Sequence, residues 1–327
     1  MQPDCRLREE PGGDAKLKVV DTAERRTGYA KAPVRHRRRD NGFVKRRGAS
    51  IRIYLADGTP DGLRLVEKVN WTGLVLACSR AQWPEVKGRE EFARAGIYVL
   101  VGDAAGDAGQ PRIYVGEAED LRKRVHQHHA KDFWTRLVAL TSKDQSLNKA
   151  HVRYLEARLL QLGADAKQAQ LENGTAPPLP YLSEADVADT ETFLEEALTV
   201  LPLLDLRAFD VLEVDALKGP VLRLQGPDTN ARGRDDPGGF IVLANSVGRA
   251  DHVPSIHPWL LDKRHQLLDQ GVLVPEDGVL RLTTDYRFDS PSTAAGVLLG
   301  RAANGRTEWK DASGRTLKEI QTSEASA

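Results

Sequence analysis

The stretch "GIYVLVGDAAGDAGQPRIYVGEAEDLRKRVHQH", Gly96 to His128, decides the fold. In GIYVLVG, Ile97, Val99 and Val101 fall on one side of a strand and Tyr98 and Leu100 on the other, because successive side chains of a strand point to opposite faces. DAAGDAGQP is built of turn residues. RIYVG then returns, with Ile113 and Val115 on one face and Tyr114 on the other. The pattern predicts a hairpin with a long, glycine-rich loop. EDLRKRVHQHHA switches to helical spacing: Leu121 and Val125 give the buried stripe, and Arg124 and His128, four apart, share a side. A core needs apolar residues at such places. A site needs phenols and cations that converge.

Upstream, IRIYLADG (Ile51 to Gly58) alternates and ends in an Asp-Gly turn, so it reads as a strand. Gly62 to Arg80 supplies one or two more, broken near Asn70–Gly73. WPEVKGREEFARA reads as a short helix with Pro84 in its first turn. Downstream, RLVALTS (Arg136 to Ser142) is a third strand of the hairpin region. Asn148 to Ala164 is a strong amphipathic helix, expected to stop near Gly163. Its apolar stripe is Val152, Leu155, Leu159 and Leu162, and Glu156 falls inside it. Ser183 is an N-cap candidate for a helix that buries Phe193, Leu194, Ala197, Leu198 and Leu201.

Past Arg207 the pattern loosens, and QGPDTNARGRDDPGG (Gln225 to Gly239) reads as a turn-rich boundary. A second α+β unit is expected after it. FIVLANS is its first strand, PWLLDKRHQLLDQGVL a helix with a glycine stop, and GVLRLTTDYRF another strand. SPSTAAGVLLG is a helix begun by Ser290-Pro291, and TEWKDASGRTL a hairpin with a Ser-Gly turn. The division is a basic head over 1–49, a β-rich extension over 50–92, a module over 93–205, a linker over 206–239 and the C-terminal unit over 240–325.

A chain of 327 residues has room for two domains, and 40% hydrophobic with 29% charged residues fits a folded protein. No apolar run approaches the ~18 residues of a membrane span, and no signal-peptide core opens the chain. Two cysteines, Cys5 and Cys78, make neither a disulfide framework nor a metal spacing, so a reducing, cytoplasmic setting is expected. The net charge is zero, but Arg25, Arg26, Lys31, Arg35, Arg37, Arg38, Arg39, Lys45, Arg46 and Arg47 crowd the head. That head reads either as an arm for phosphates or as a solvated, disordered tail.

Two phenols, a guanidinium, an imidazole and a carboxylate are the parts for cutting a phosphodiester. A phenol orients or deprotonates a water, and a guanidinium neutralises charge growing on phosphoryl oxygens. One carboxylate suffices for Mg²⁺, which keeps several waters. A carboxylate on an apolar stripe is costly unless it is paired or metal-bound.

This ordered set resembles the GIY-YIG nuclease family. The first signature stands as Gly96-Ile97-Tyr98, and the second as Tyr114-Val115-Gly116 with valine in the middle. The family's arginine and histidine match Arg124 and His128, its metal-binding glutamate matches Glu156 in YLEARLL, and its late asparagine matches Asn173 in LENGT. The resemblance spans about Gly96 to Leu201. It implies a small three-stranded antiparallel sheet flanked by helices, within an α+β chain. It also implies an endonuclease that hydrolyses DNA with one Mg²⁺ or Mn²⁺ on Glu156 and leaves a 5′-phosphate. Tyr98, Tyr114, Arg124, His128 and Asn173 would be catalytic, with either tyrosine as base or water-orienting group. Asp285 to Leu317 resembles a small domain of unknown function that accompanies some bacterial GIY-YIG proteins.

Each residue has a plainer reading. The tyrosines are half-buried strand residues, and Arg124 is a solvated helix face. His126 or His129 stands in for His128, Glu156 pairs with Arg124, and Asn173 shapes a turn beside Gly174. The competing functions are a nucleic-acid-binding module without cleavage and a partner-docking protein on the nuclease fold. No helix-turn-helix or zinc finger names a target, and DNA and RNA are not distinguished.

Overall fold

Tyr98 and Tyr114 stand on neighbouring strands in the computed structural model, which describes residues 48–103, 110–128, 130–210, 212 and 219–325. Three strands precede theirs: β1 (Ile51–Leu55), β2 (Arg64–Lys68) and β3 (Gly73–Ser79). The hairpin is β4 (Gly96–Gly102) against β5 (Arg112–Ala118), antiparallel, with Tyr98 opposite Gly116 and Leu100 opposite Tyr114. β6 (Arg136–Ser142) pairs antiparallel with the other edge of β4. The expected trio therefore lies inside a larger sheet among the described residues, in the order β1-β2-β3-β6-β4-β5-β7, where β7 is Gln170–Leu171, parallel to β5. The extension is part of this sheet. β3 is almost wholly buried, and GLVLACS is the near-continuous apolar run of a strand covered on both faces.

The first helical pieces are short, α1 (Trp83–Val86) and a 3₁₀ turn over Glu90–Ala93, so the single helix expected there is divided around Gly88. α2 (Leu121–Gln127) is capped by the Asp120 side chain, which accepts from Lys123 N–H. These pieces cover the sheet face of Tyr98, Leu100, Leu137 and Ala139 with Trp83, Phe92, Leu121 and Val125, joined by Trp134 from the segment before β6. α3 (Lys149–Ala166) and α4 (Glu184–Val200) cover the opposite face, where Ile97, Val99, Val115, Val138 and Leu140 meet Val152, Leu155, Leu159, Phe193 and Leu194. Ser183 caps α4 as expected. α3 does not stop at Gly163; it ends at Lys167, which takes a left-handed φ of 50°. Gly163 serves packing instead, since a Cβ there would lie 3.2 Å from Leu171 Cδ2.

The stretch read as a linker contains two strands. β8 (Leu222–Gly226) and β9 (Thr229–Asp236) form a hairpin that turns at Asp228, φ 51°. The inward positions of β9, Thr229, Ala231 and Gly233, are small or polar, which hides the period of two. The same sheet takes in β10 (Gly239–Val242), β11 (Val247–Arg249), β12 (Leu273–Glu276), β13 (Val279–Leu282) and β14 (Tyr286–Phe288). GVLRLTTDYRF is thus two strands, not one. α5 (Pro258–Asp269) and α6 (Pro291–Leu299) pack on this sheet, with Ser290 capping α6. The hairpin expected over Thr307–Leu317 is reduced to its tip: α7 (Gly305–Glu308) fills the start of the first arm, Trp309–Asp311 pair back with Arg315–Leu317 across a turn at Gly314, φ 87°, and α8 (Leu317–Ala325) follows. Trp309 is wholly buried against Phe240.

Each sheet has its own apolar core, yet Ala49–Ala327 clusters as one unit. The basic head lies outside the described residues, apart from 48 and 49. Among the described residues no helix is long and apolar enough to cross a membrane.

Candidate functional site

Glycine explains how a phenol fits inside the sheet. A Cβ on Gly116 would lie 2.3 Å from both Cζ and Oη of Tyr98, its cross-strand partner. A Cβ on Gly96 would lie 2.3 Å from the Leu140 carbonyl oxygen on β6. Both signature glycines therefore exist for close approach. Val115, between Tyr114 and Gly116, points to the opposite, buried face, so valine in that place changes the core and not the site.

Tyr98, Tyr114 and His128 form one aromatic cluster. The His128 ring centroid lies 4.9 Å from that of Tyr114 and 5.8 Å from that of Tyr98, and the two tyrosines are 6.2 Å apart. His128 is the residue after α2, and its carbonyl accepts from Trp134 Nε1 at 3.3 Å. Two polar atoms of the cluster are buried without a hydrogen-bond partner, Tyr98 Oη and His128 Nε2. Burial, and then the charges of Arg124 and Lys131, push the His128 imidazole down to about 4, so it is neutral at neutral pH. Burial, and then Tyr114, push the Tyr98 phenol well above its ordinary range. Arg124 opposes that shift: its guanidinium comes close enough to favour the phenolate, without completing a well-formed hydrogen bond to the orphaned Oη.

Glu156 reaches this group from α3. It stands at the half-buried margin of the apolar stripe rather than within it. Its carboxyl is raised by burial and by the neighbouring Glu117; the Glu117 N–H, Arg124 and Arg153 pull the other way. Arg124 and Glu156 feel each other's charge but do not form the ion pair considered above; Arg124 Nη1 donates to Gln127 Oε1 at 3.1 Å. Four elements, β4, β5, α2 and α3, thus bring Tyr98, Tyr114, Arg124, His128 and Glu156 together.

Asn173 takes a different part. Its Oδ1 accepts from Val115 N–H at 3.0 Å and its Nδ2 donates to Val115 C=O at 2.8 Å. Its amide thereby continues the parallel pairing of β7 along β5 by two residues. Asn173 clamps the strand that carries Tyr114.

Sequence spacing misses two charged residues here. Glu117 projects from β5 toward Glu156, and Lys131 places Nζ 4.1 Å from the Tyr114 ring centroid. Arg80 holds that Lys131 turn, donating to the Lys131 carbonyl at 2.8 Å and stacking 4.9 Å over Trp134. A lone lysine in HHAKDFW carries no periodic signal, and Glu117 looks like any polar strand residue. His126 is exposed, and His129 lies outside the described residues. Cys78 is buried and free, its thiol pushed up to about 12 by burial, so it is inert. Among the described residues no group of three or more His, Cys, Asp or Glu side chains is placed to share a metal.

Residues 222–321 match the family described as a domain of unknown function (DUF4357). This agrees with the resemblance seen over Asp285–Leu317 and carries it back to β8. No curated protein and no solved structure matches the chain. The nuclease resemblance rests on the motif set alone.

Proposed function

We propose that this protein is a metal-dependent endonuclease that hydrolyses phosphodiester bonds in DNA. One observation carries the reading: two phenols, a neutral imidazole, a guanidinium and a carboxylate converge from four elements, with Tyr98 Oη and His128 Nε2 buried and unpartnered. Buried polar groups are nearly always paired, so two orphans in one cluster ask for a ligand.

The residues fit a divalent metal. Glu156 is a partly desolvated carboxylate raised by burial and by Glu117, and a cation beside it would relieve both effects. Mg²⁺ is commonly held by one or two carboxylates, with waters filling the rest of its shell. Glu156 would hold it, with Glu117 within electrostatic reach. When bound, the ion supplies Lewis-acid polarisation of the phosphoryl group and acidifies a water.

The chain's own groups divide the remaining work. Arg124, exposed on α2, offers its planar fork to the phosphoryl oxygens, where charge grows in the transition state. His128, neutral, accepts a proton at the unpartnered Nε2. Tyr98, held protonated by burial, donates a hydrogen bond that orients the attacking water, and the half-buried Tyr114 flanks it. Asn173 fixes the strand. This assignment gives the proton to His128 rather than to a tyrosine. A free, buried Cys78 suits the reducing, cytoplasmic setting that the reading assumes.

The test is nicking of supercoiled plasmid, and of branched and single-stranded DNA and RNA, with Mg²⁺ or Mn²⁺. Wild type is expected to cut DNA, and Glu156→Gln to lose at least a hundredfold while remaining folded, with a Tm no lower than that of metal-free wild type. Full activity in Glu156→Gln, or no cutting of any substrate by wild type, overturns the reading. DNA binding without strand breaks would favour a silent binding module.

A further inference from the structure

We propose that the C-terminal unit braces the candidate site through Gln110 and Tyr286, which act as positioning residues; the inference rests on the site proposed above. Gln110 stands two residues before β5, the strand of Tyr114, and is only 4% exposed. Its Nε2 donates to the Lys167 carbonyl at 2.6 Å and to Tyr286 Oη at 2.6 Å. Its Oε1 accepts from Gln270 Nε2 at 2.7 Å. Lys167 is the residue that ends α3, the helix of Glu156. Tyr286 opens β14, and Gln270 ends α5. One buried amide therefore joins the start of the tyrosine strand, the end of the glutamate helix and two elements of the C-terminal unit.

A second tie lies beside the first. Arg287 donates from Nε to Asp236 on β9 at 3.0 Å and from Nη1 to Asp210 at 3.3 Å. Asp210 belongs to the segment that follows α4, and Arg207 reaches the same carboxylate at 3.3 Å. The contact between the two units is thus directional where it is best defined.

Direction is what a site needs. Apolar surfaces tolerate small slides, whereas a buried amide with its donors and acceptor engaged accepts one arrangement. Tyr114 and Glu156 sit on different elements and have to face one phosphate. A displacement of about 1 Å between reacting groups costs on the order of a hundredfold in rate. The Gln110 amide holds those two elements at their ends, and Tyr286 and Gln270 hold Gln110. On this view the unit matched to a domain of unknown function is a structural half of the site, not an arm for reading DNA.

The experiment uses the full chain and Tyr286→Phe. Phenylalanine keeps the ring against Phe288, 4.8 Å away, and removes only the oxygen that Gln110 meets. The expected result is a drop in kcat of about tenfold with KM for DNA unchanged. Hydrogen exchange should also quicken at the amides of Arg112–Val115 and in the last turn of α3. Gln110→Leu should give the same pattern. Combining it with Tyr286→Phe should lower kcat no further than Gln110→Leu alone, since both changes break the same brace, whereas independent effects would multiply. Unchanged turnover and exchange overturn the brace. So does a raised KM with kcat intact, which marks substrate recognition instead. If wild type cuts no nucleic acid, the nuclease reading fails, and exchange alone then decides: faster exchange at β5 and α3 in Tyr286→Phe keeps the brace, and unchanged exchange removes it.

Discussion

At residue 156 a carboxylate is held where burial and Glu117 both disfavour its charge. Its folded pKa is raised, so metal-free stability is greatest below the ordinary carboxylate range and falls as pH rises through the raised value. Glu156→Gln removes that cost at neutral pH. In EDTA the variant is expected to melt a few degrees above wild type, and Mg²⁺ should raise the Tm of wild type alone. A variant that melts lower, or still responds to Mg²⁺, would sink the metal-ligand role. The sign at His128 is opposite. Its pKa is depressed to about 4 from an ordinary 6.5, so its contribution to stability is full above pH ~6.5 and is lost as pH falls toward 4. Stability of wild type should therefore decline more steeply over that window than stability of His128→Gln. In the proposed reaction, protonation of His128 should also close the acid limb of the kcat profile near pH 4–5. A limb centred near 6.5 would mean that the imidazole is solvated. The sequence made both residues visible because order and spacing singled them out. It did not reveal Lys131 or Gln110, whose roles depend on which ring or carbonyl the fold brings to them.

The elements around the site follow local rules, and the misreadings have physical causes. The hairpin, α2, β6, α3 and α4 were legible, since each carries a clean period and Ser183 marks the start of α4. The stretch 225–239 was not. Proline, glycine and three acidic residues suggest a linker, yet Thr229, Ala231 and Gly233 line the buried side of β9. Small polar residues can fill a core face without announcing it. β4 and β5 make the sharpest element-scale prediction. Tyr98 occupies the space over Gly116, where a Cβ would come within 2.3 Å of the ring. Gly116→Ala should displace the phenol or open the strand pair, costing about 1–3 kcal/mol and most of the proposed activity. Gly174→Ala, at a site with nothing within 4 Å of a new Cβ, is the control and should leave both unchanged. Equal Tm and activity for Gly116→Ala and wild type would show that Tyr98 is free to move, contrary to its complete burial.

Across the whole molecule, sequence composition suggested a linker and a separable C-terminal domain. The structure gives two apolar cores joined by a polar contact, so separability becomes a question of what that contact withstands. Arg136 also donates to the Leu204 carbonyl at 2.9 Å, which ties β6 to the end of the α4 region. A truncation near residue 204 would therefore remove the donor from Gln270 to Gln110 and the acceptor Tyr286, and would uncover a buried amide. We expect a chain nicked at a protease site inserted between Asp210 and Gly219 to stay undivided. The two fragments should co-elute on gel filtration at low salt, held by Gln110, Tyr286, Gln270 and the Arg287 ion pairs with Asp210 and Asp236. Salt screens exposed charges far more than buried hydrogen bonds. Molar NaCl should therefore loosen the fragments only slightly in the parent, and should release them in a Tyr286→Phe/Gln270→Ala background. Separation of the parent fragments at low salt would show that the contact is too weak to brace anything, and would return the C-terminal unit to the role of an independent domain.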